Sequence, residues 1–228
     1  MSTSSFSPAD ADPSGVITLA RGEQPETDLE VKRSHFLGQA ARTDDEAAAR
    51  VFIAAVRARY PDARHHCSAF TVAVPGAQPI ERSSDDGEPS GTAGGPMLDV
   101  LRGTGLTNTT VVVTRYFGGT LLGTGGLARA YTQAATQALE AAARVRLATR
   151  YLWKVRVAVA DAGRLEGQLR GRAPEIAVEE TNWTATHAVL TLSTGSADPT
   201  GLTEQLAALT AGAAVPEPAG SRVVESPV

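Results

Sequence analysis

The chain has 228 residues, 42% of them apolar, with 21 basic against 25 acidic side chains for a net charge of -4. That is apolar material enough for one large core or two ordinary ones, and a charge balance that excludes a dedicated nucleic-acid binder, whose isoelectric point lies above ~9. No apolar run approaches membrane-spanning length, the opening MSTSSFSPADADPS lacks a basic segment followed by an apolar one, and the lone Cys67 cannot close an internal disulfide. A cytoplasmic protein with no membrane partner and no disulfide is therefore expected.

Residues 1–14 are Ser/Asp/Pro-rich and are predicted to form a disordered tail. A first domain is predicted over 15–149. In it VITLAR (16–21) and LEVKRSHFLGQAA (29–41) read as strands, the second carrying Lys32, Arg33 and His35 as a solvated or edge-protecting basic cluster. Asp44, Asp45 and Glu46 then open a helix predicted to turn Ala48, Val51, Phe52, Ala55 and Val56 inward. Its far end carries Arg57 and Arg59, which complement the helix dipole, and Tyr60-Pro61 stops it. HCSAFTVAV (66–74) is a third strand, SDDGEPSGTAGGP a loop, and 97–102 a short helix.

The β-branched run TTVVVT (109–114) is short enough for a buried strand. RYFGGTLLGTGGLARAY (115–131) follows as a glycine-rich turn into a helix, with Leu127, Ala130, Tyr131, Ala134, Ala138 and Ala141 at helical spacing. Thr124 is placed to cap that helix, whose free amides would suit an anion. The turn lacks the lysine of a P-loop and the spacing of a dinucleotide fingerprint, so tight packing and ligand cradling both remain open.

A second domain is predicted over 150–215. YLWKVRVAVA alternates like a strand, DAGRLEGQLRGR sets Leu165 and Leu169 four apart, and APEIAVEET and WTATHAVLTLS read as strands. Asp198-Pro199 starts a helix carrying Leu202, Leu206 and Leu209. The order β-α-β-β-α, with a last strand near Val215, suits a ferredoxin-like domain. Residues 216–228 are predicted as a disordered tail.

Charge is unevenly spread: residues 1–30 hold one arginine against six acids, 31–150 hold fourteen basic against ten acidic residues, and 151–228 hold six against nine. The middle can meet a few phosphates. Four neutralised phosphates would give a log-log salt slope of only about -3.6, which describes weak, salt-sensitive binding.

PDARHHC (61–67) sets His65 and His66 beside Cys67, which invites a metal. Strand alternation puts His65 and Cys67 on one side and His66 on the other, and His35 and His187 add no ligand spacing, so hydrogen-bonding histidines are the better reading. Asp85, Asp86 and Glu88 crowd around Gly87. They form a solvated Asp-Gly turn, or pair with Arg64, Arg115 or Arg129 and fix the glycine turn, or supply acid/base chemistry if their pKa values separate. Ser84 and Ser90 sit in no G-x-S-x-G elbow. No catalytic residue, metal site or cofactor is predicted.

KRSHF (32–36), PDARHHC (61–67), SDDGEPSGTAG (84–94) and RYFGGTLLGTGGLARAY (115–131), in that order, resemble the YigZ/IMPACT family over about 15–150. The second domain resembles the carboxyl-terminal domain of bacterial YigZ members by position and element order only. The resemblance implies a two-domain α+β protein. Its amino-terminal β-α domain would be of the ribosomal-protein/elongation-factor-G domain IV-like type, followed by a small ferredoxin-like domain similar to domain V of that factor. Both relatives work on the ribosome. Eukaryotic IMPACT members regulate translation under amino-acid starvation by competing for a protein partner, through segments outside this domain that this chain lacks.

No catalytic residue carries over from the family. What carries over is a motif surface of Lys32, Arg33, His65, His66, Asp85, Asp86, Gly87, Glu88, Arg115, Gly118, Gly119, Gly125 and Gly126, to which the reading of the residues adds Arg64, Thr124 and Arg129. The expected function is a non-enzymatic, translation-linked regulator binding RNA, the ribosome or a protein partner through this face. The alternatives are an enzyme or sensor binding a small phosphate or carboxylate ligand at the glycine-rich turn, or a purely protein-protein interaction.

Overall fold

The β-branched run at 109–114 forms most of a strand buried along nearly its whole length, β6 (Thr109–Tyr116), because it has sheet neighbours on both edges and helices on both faces. The structure is a computed structural model that describes residues 15–74, 76–173 and 175–228, so the predicted tail at 1–14 lies outside it. The chain is an α+β protein of two compact units, Gly15–Arg146 with Ser226–Val228, and Leu147–Glu225.

The first unit contains β1 (Ile17–Leu19), β2 (Thr27–Val31), β3 (Ser34–Arg42), α1 (Glu46–Arg59), β4 (His65–Val72), β5 (Ile80–Ser84), α2 (Gly94–Thr104), β6 and α3 (Thr124–Ala141). Its main sheet is antiparallel in the order β2-β3-β6-β4-β5. Val111, Val113, Cys67 and Phe36 join the core beneath α2 and α3, where Met97, Leu101, Tyr131, Ala134 and Ala138 are buried. Alternation turns Phe70 and Val72 to the other face, where Ala49 and Ile53 of α1 meet them.

The second unit runs β7 (Arg144–Ala158), α4 (Val159–Arg172), β8 (Ala177–Trp183), β9 (His187–Thr194), α5 (Thr200–Thr210) and β10 (Pro216–Pro227). Its strand order is β8-β9-β7, with β10 also on β7. Leu165 and Leu169 of α4, and Leu202 and Leu206 of α5, pack with Trp153, Val155, Leu190 and Leu192. The first three residues of β7, Arg144 to Arg146, belong to the first unit, where they pair with β1, Ile17 opposite Arg146.

Several sequence expectations are corrected here. The stretch 29–41 is a hairpin, broken by a two-residue turn at Lys32 and Arg33 with φ of 49° and 66°. Neither residue advertises a left-handed turn, so the break is invisible locally. Helix α1 buries Ala49 and Val56 while Val51 is 70% exposed. Positions 47–49 and 51–56 are all apolar, so periodicity selects no face and the sheet surface does. The sequence assigns no element to residues 80–83, where β5 forms, and residues 216–227, expected as a tail, form β10, whose polar backbone is satisfied by pairing with β7.

The hairpin turn is held by Gly118. A Cβ on it would lie 2.0 Å from the carbonyl carbon of Arg33 and 2.3 Å from the amide nitrogen of Ser34, and its own N–H donates to Ser34 Oγ at 3.0 Å. Backbone atoms cannot step aside as a side chain would. Gly118→Ala is therefore expected to destabilise the first unit by more than about 2 kcal/mol. Gly125→Ala, whose Cβ would meet only Arg129 Nη1 at 4.0 Å, is expected to be neutral or slightly stabilising. Urea unfolding of both variants checks this, and equal stabilities would refute the packing role.

Candidate docking surface at the motif end of the sheet

Strand register brings the four motif segments to one end of the sheet. His35 lies opposite Tyr116, His65 opposite Arg115, and Ser68 opposite Ser84, so the turn at 32–33, the approach to β4, the 85–93 loop and the 117–123 loop all emerge there. The segments form an inner layer of satisfied polar groups and an outer layer of exposed ones.

At the centre of the inner layer, Arg115 Nη1 donates to Glu88 Oε1 at 2.7 Å, and the Tyr131 hydroxyl donates to the same oxygen at 2.8 Å. Both charged side chains are buried. The Arg115 guanidinium also lies 5.4 Å from the Phe36 ring and 5.7 Å from the Phe117 ring, and Phe36 meets Tyr131 edge-on at 5.2 Å. These ring faces partly replace lost hydration for a cation whose Nε has no hydrogen-bond partner. Of the three pairings open in the sequence, this is the one formed by Glu88.

Asp85 caps α2. Its carboxylate accepts from the amides of Gly91 at 2.8 Å, Ala93 at 3.0 Å and Gly94 at 2.8 Å. Burial pushes its pKa up, but the three donors outweigh burial and hold it below the usual value. Asp86 stands at the first central position of the turn 85–88, with φ of 41°, and Gly87 follows at 85°. The Asp86 carboxylate accepts from the His66 amide at 2.7 Å and from Arg57 at 2.6 Å. Burial again raises its pKa, and the amide and guanidinium together lower it further than burial lifts it.

His65 Nδ1 donates to the Asp86 carbonyl at 2.9 Å, His66 Nε2 to the Tyr60 carbonyl at 2.9 Å, and Cys67 Sγ to the Asp85 carbonyl at 3.0 Å. A carbonyl only accepts, so each nitrogen carries its proton there. The His65 and Cys67 side chains thus fasten the acidic turn, and the His66 ring fastens the end of α1. Among the described residues no group of three or more His, Cys, Asp or Glu side chains is placed to hold a metal ion.

The outer layer holds Lys32, Arg33, Arg64, Thr124, Gly125 and Arg129, all exposed, with Phe117 56% and Leu121 83% exposed. Arg33 reaches across to Thr120 Oγ1 at 3.2 Å. Tyr116 donates to Asp62 at 2.8 Å beside Arg64 and His65, along a cavity of 580 Å³ that Phe117 and Leu121 also line. Gly119, at φ of 83°, lies in the loop leading to α3. Thr124 does not cap α3 as expected: Gly123 takes the cap position at φ of 71°, no side chain bonds there, and Thr124 with Gly125 and Gly126 forms the first helical turn. Arg129 faces a separate groove with Asp99 and Val100 of α2.

Arg57 was missed as a site residue. Its signal is the i, i+7 spacing from Arg50 on one face of α1. Phe117, Leu121 and Tyr116 were missed too, having no charge to mark them.

Residues 32–139 match the family model of the Impact N-terminal domain. An Escherichia coli protein named IMPACT family member YigZ is 52% identical over 110 residues, 48% of this chain and 54% of that protein. A Thermus thermophilus IMPACT family member is 40% identical over 142 residues, 62% of this chain and 75% of that protein. The chain belongs to the IMPACT family. It spans about half the length of the Escherichia coli relative it matches. A crystal structure of a protein described as hypothetical is similar over 89% of this chain and 96% of its own, at 34% identity and a TM-score of 0.56. The IMPACT motifs thus coincide with the inner layer as much as with the outer one. Among the described residues no helix is long and apolar enough to cross a membrane.

Two predictions test the inner layer. Arg115→Met or Glu88→Leu alone leaves an uncompensated buried charge and is expected to cost about 3 kcal/mol or more, while the double variant recovers at least half of that. A urea double-mutant cycle reads the coupling, and additive losses would deny it. The second concerns acid. Asp85 and Asp86 have folded pKa values below their unfolded ones near 3.9, so their stabilisation is complete above that value and disappears as pH falls through the folded values. Melting temperature should fall steeply below about pH 4, and less steeply in Asp85→Asn. Parallel profiles would remove Asp85 from the account.

Proposed function

We propose that this chain is a non-enzymatic, translation-linked regulator that docks on ribosomal RNA through the motif end of its first unit. One observation carries the reading: Lys32, Arg33 and Arg64 stand exposed around the exposed Phe117 and Leu121, while Asp85, Asp86 and Glu88 are taken up as cap and ion-pair partners, which leaves Asp62, bonded to Tyr116, as the acid beside Arg64. A cationic rim with an aromatic platform is the chemistry of nucleic-acid backbones and unstacked bases. The domain types that the family resemblance implies support the translational setting, since both belong to proteins that work on the ribosome. We read the β-α-β-β-α-β order of the second unit, with strands arranged β10-β7-β9-β8, as ferredoxin-like.

The pKa directions agree with a binding role. Burial pushes the Cys67 thiol up to about 12, which leaves it no thiolate for nucleophilic chemistry at neutral pH. Asp85 and Asp86 are held ionised and have no proton to donate.

A second reading, a small phosphate or carboxylate ligand at the glycine-rich turn, is favoured by the open amides of Thr124, Gly125 and Gly126. It predicts loss of phosphate binding in Arg129→Ala with RNA affinity unchanged.

The docking reading is tested with Lys32→Asn/Arg33→Gly/Arg64→Ala. Asn-Gly suits two successive left-handed positions, so the turn survives while three cations are lost. Ribosome and rRNA affinity of the wild type should fall with salt at a log-log slope near -3, from about 0.9 per phosphate, and the variant should bind weakly with a nearly flat profile. Unchanged slope and affinity would exclude nucleic acid. Retained ribosome binding without rRNA binding would move the partner to protein.

A further inference from the structure

The face of the main sheet opposite α2 and α3 is covered only in part by α1, and beside that helix a cavity of 490 Å³ opens over β4 and β5. That volume falls within the ~300 to 1,000 Å³ of small-molecule pockets. One wall is a single helix stripe, Arg50, Ala54 and Arg57 at i, i+4 and i+7. The opposite wall comes from strand register: Arg82 lies directly across from Phe70 and Ser84 from Ser68, so all four project to this face.

The chemistry of the lining is one-sided. It holds three guanidiniums and no carboxylate. Arg50 and Arg57 have partners in Glu46 and Asp86, each at 2.6 Å, but among the described residues Arg82 bonds only the carbonyl of Glu81, at 2.9 Å. Ser68 is 5% exposed, and its hydroxyl, with no hydrogen bond among the described residues, is a polar group on the cavity lining that a ligand can pair with. Between these groups lie Ile53 and Phe70, an apolar floor with an aromatic ring.

We propose that this cavity binds a small phosphorylated ligand with a flat, weakly polar body, of the mononucleotide class. The phosphate pairs with Arg82 and the neighbouring guanidiniums, the flat body lies on Phe70 and Ile53, and a sugar or base hydroxyl or amine satisfies Ser68. Neither half suffices: a bare phosphate leaves the apolar floor wet, and a nucleoside leaves Arg82 without its anion. The site shares Arg57 and His66 with the inner layer of the docking surface but uses none of Lys32, Arg33 and Arg64, and it stands whether or not that reading holds.

Isothermal titration of the full chain with adenosine 5′-monophosphate, adenosine and inorganic phosphate tests it. The monophosphate is expected to bind, with both fragments at least about tenfold weaker. Arg82→Gln removes one charge-assisted contact at an exposed position and should weaken the monophosphate about tenfold or more, and Ala54→Glu should abolish binding, both with unchanged melting temperature. The Lys32→Asn/Arg33→Gly/Arg64→Ala variant should bind the monophosphate as the wild type does. No heat at millimolar monophosphate, phosphate alone matching it, or Arg82→Gln binding at wild-type affinity would each overturn the proposal. So would loss of binding in the triple variant with Arg82→Gln unaffected, which would put the ligand at the motif end instead.

Discussion

The fold of the first unit hinges on one buried carboxylate. Glu88 comes from the loop after β5, Arg115 from the end of β6 and Tyr131 from the second turn of α3, and all three meet at a single oxygen. Phe36, from β3, covers both Arg115 and Tyr131. Four segments far apart in the chain are thereby fixed to one point. The desolvation cost of such a pair consumes most of its attraction, so its worth lies in admitting one arrangement rather than in net stability. Any other packing of these loops would leave a charge buried alone, at a cost that exposed, solvent-screened ion pairs such as Arg59–Glu23 could not offset.

From that point outward, each polar group positions the next. Asp85 satisfies the start of α2, and Asp86 ties the same turn to β4 and to α1 through Arg57. His65, His66 and Cys67 fasten backbone carbonyls. Gly118 lets the 117–123 loop press on the Lys32-Arg33 turn. Two non-glycine residues held left-handed are an uncommon sight, and here the two-residue hairpin turn that requires them also carries them at exposed positions. The motif residues are therefore of two kinds: those that build the end of the sheet, and those that the end of the sheet displays. Arg57 is shared between the acidic turn and the cavity beside α1, so the two regions lean on one guanidinium.

Much was legible from residue order alone. The stripe from Leu127 to Ala138, the β-branched run at 109–114, the Asp45 cap of α1 and the leucines of α4 and α5 are patterns complete within a few turns of chain. They depend on local periodicity and on hydrogen bonds between near neighbours, which any window of sequence contains. The family motifs likewise gather at one end of the sheet. They did not separate builders from displayed residues, because Arg115 and Arg64 look alike in the chain and differ only in what lies above them.

By itself, then, the sequence determined the helices, most of the strands and the segments that carry the motifs. Tertiary structure alone decided that Arg115 turns inward to Glu88 while Arg64 stays in water, that Asp86 pairs with Arg57 rather than with Arg64 or Arg129, that residues 29–41 fold back at Lys32, and that a cavity opens beside α1. The reason is physical. Strand register sets which side chains share a face, a slip of one residue inverts the pattern, and only packing against distant segments chooses the register.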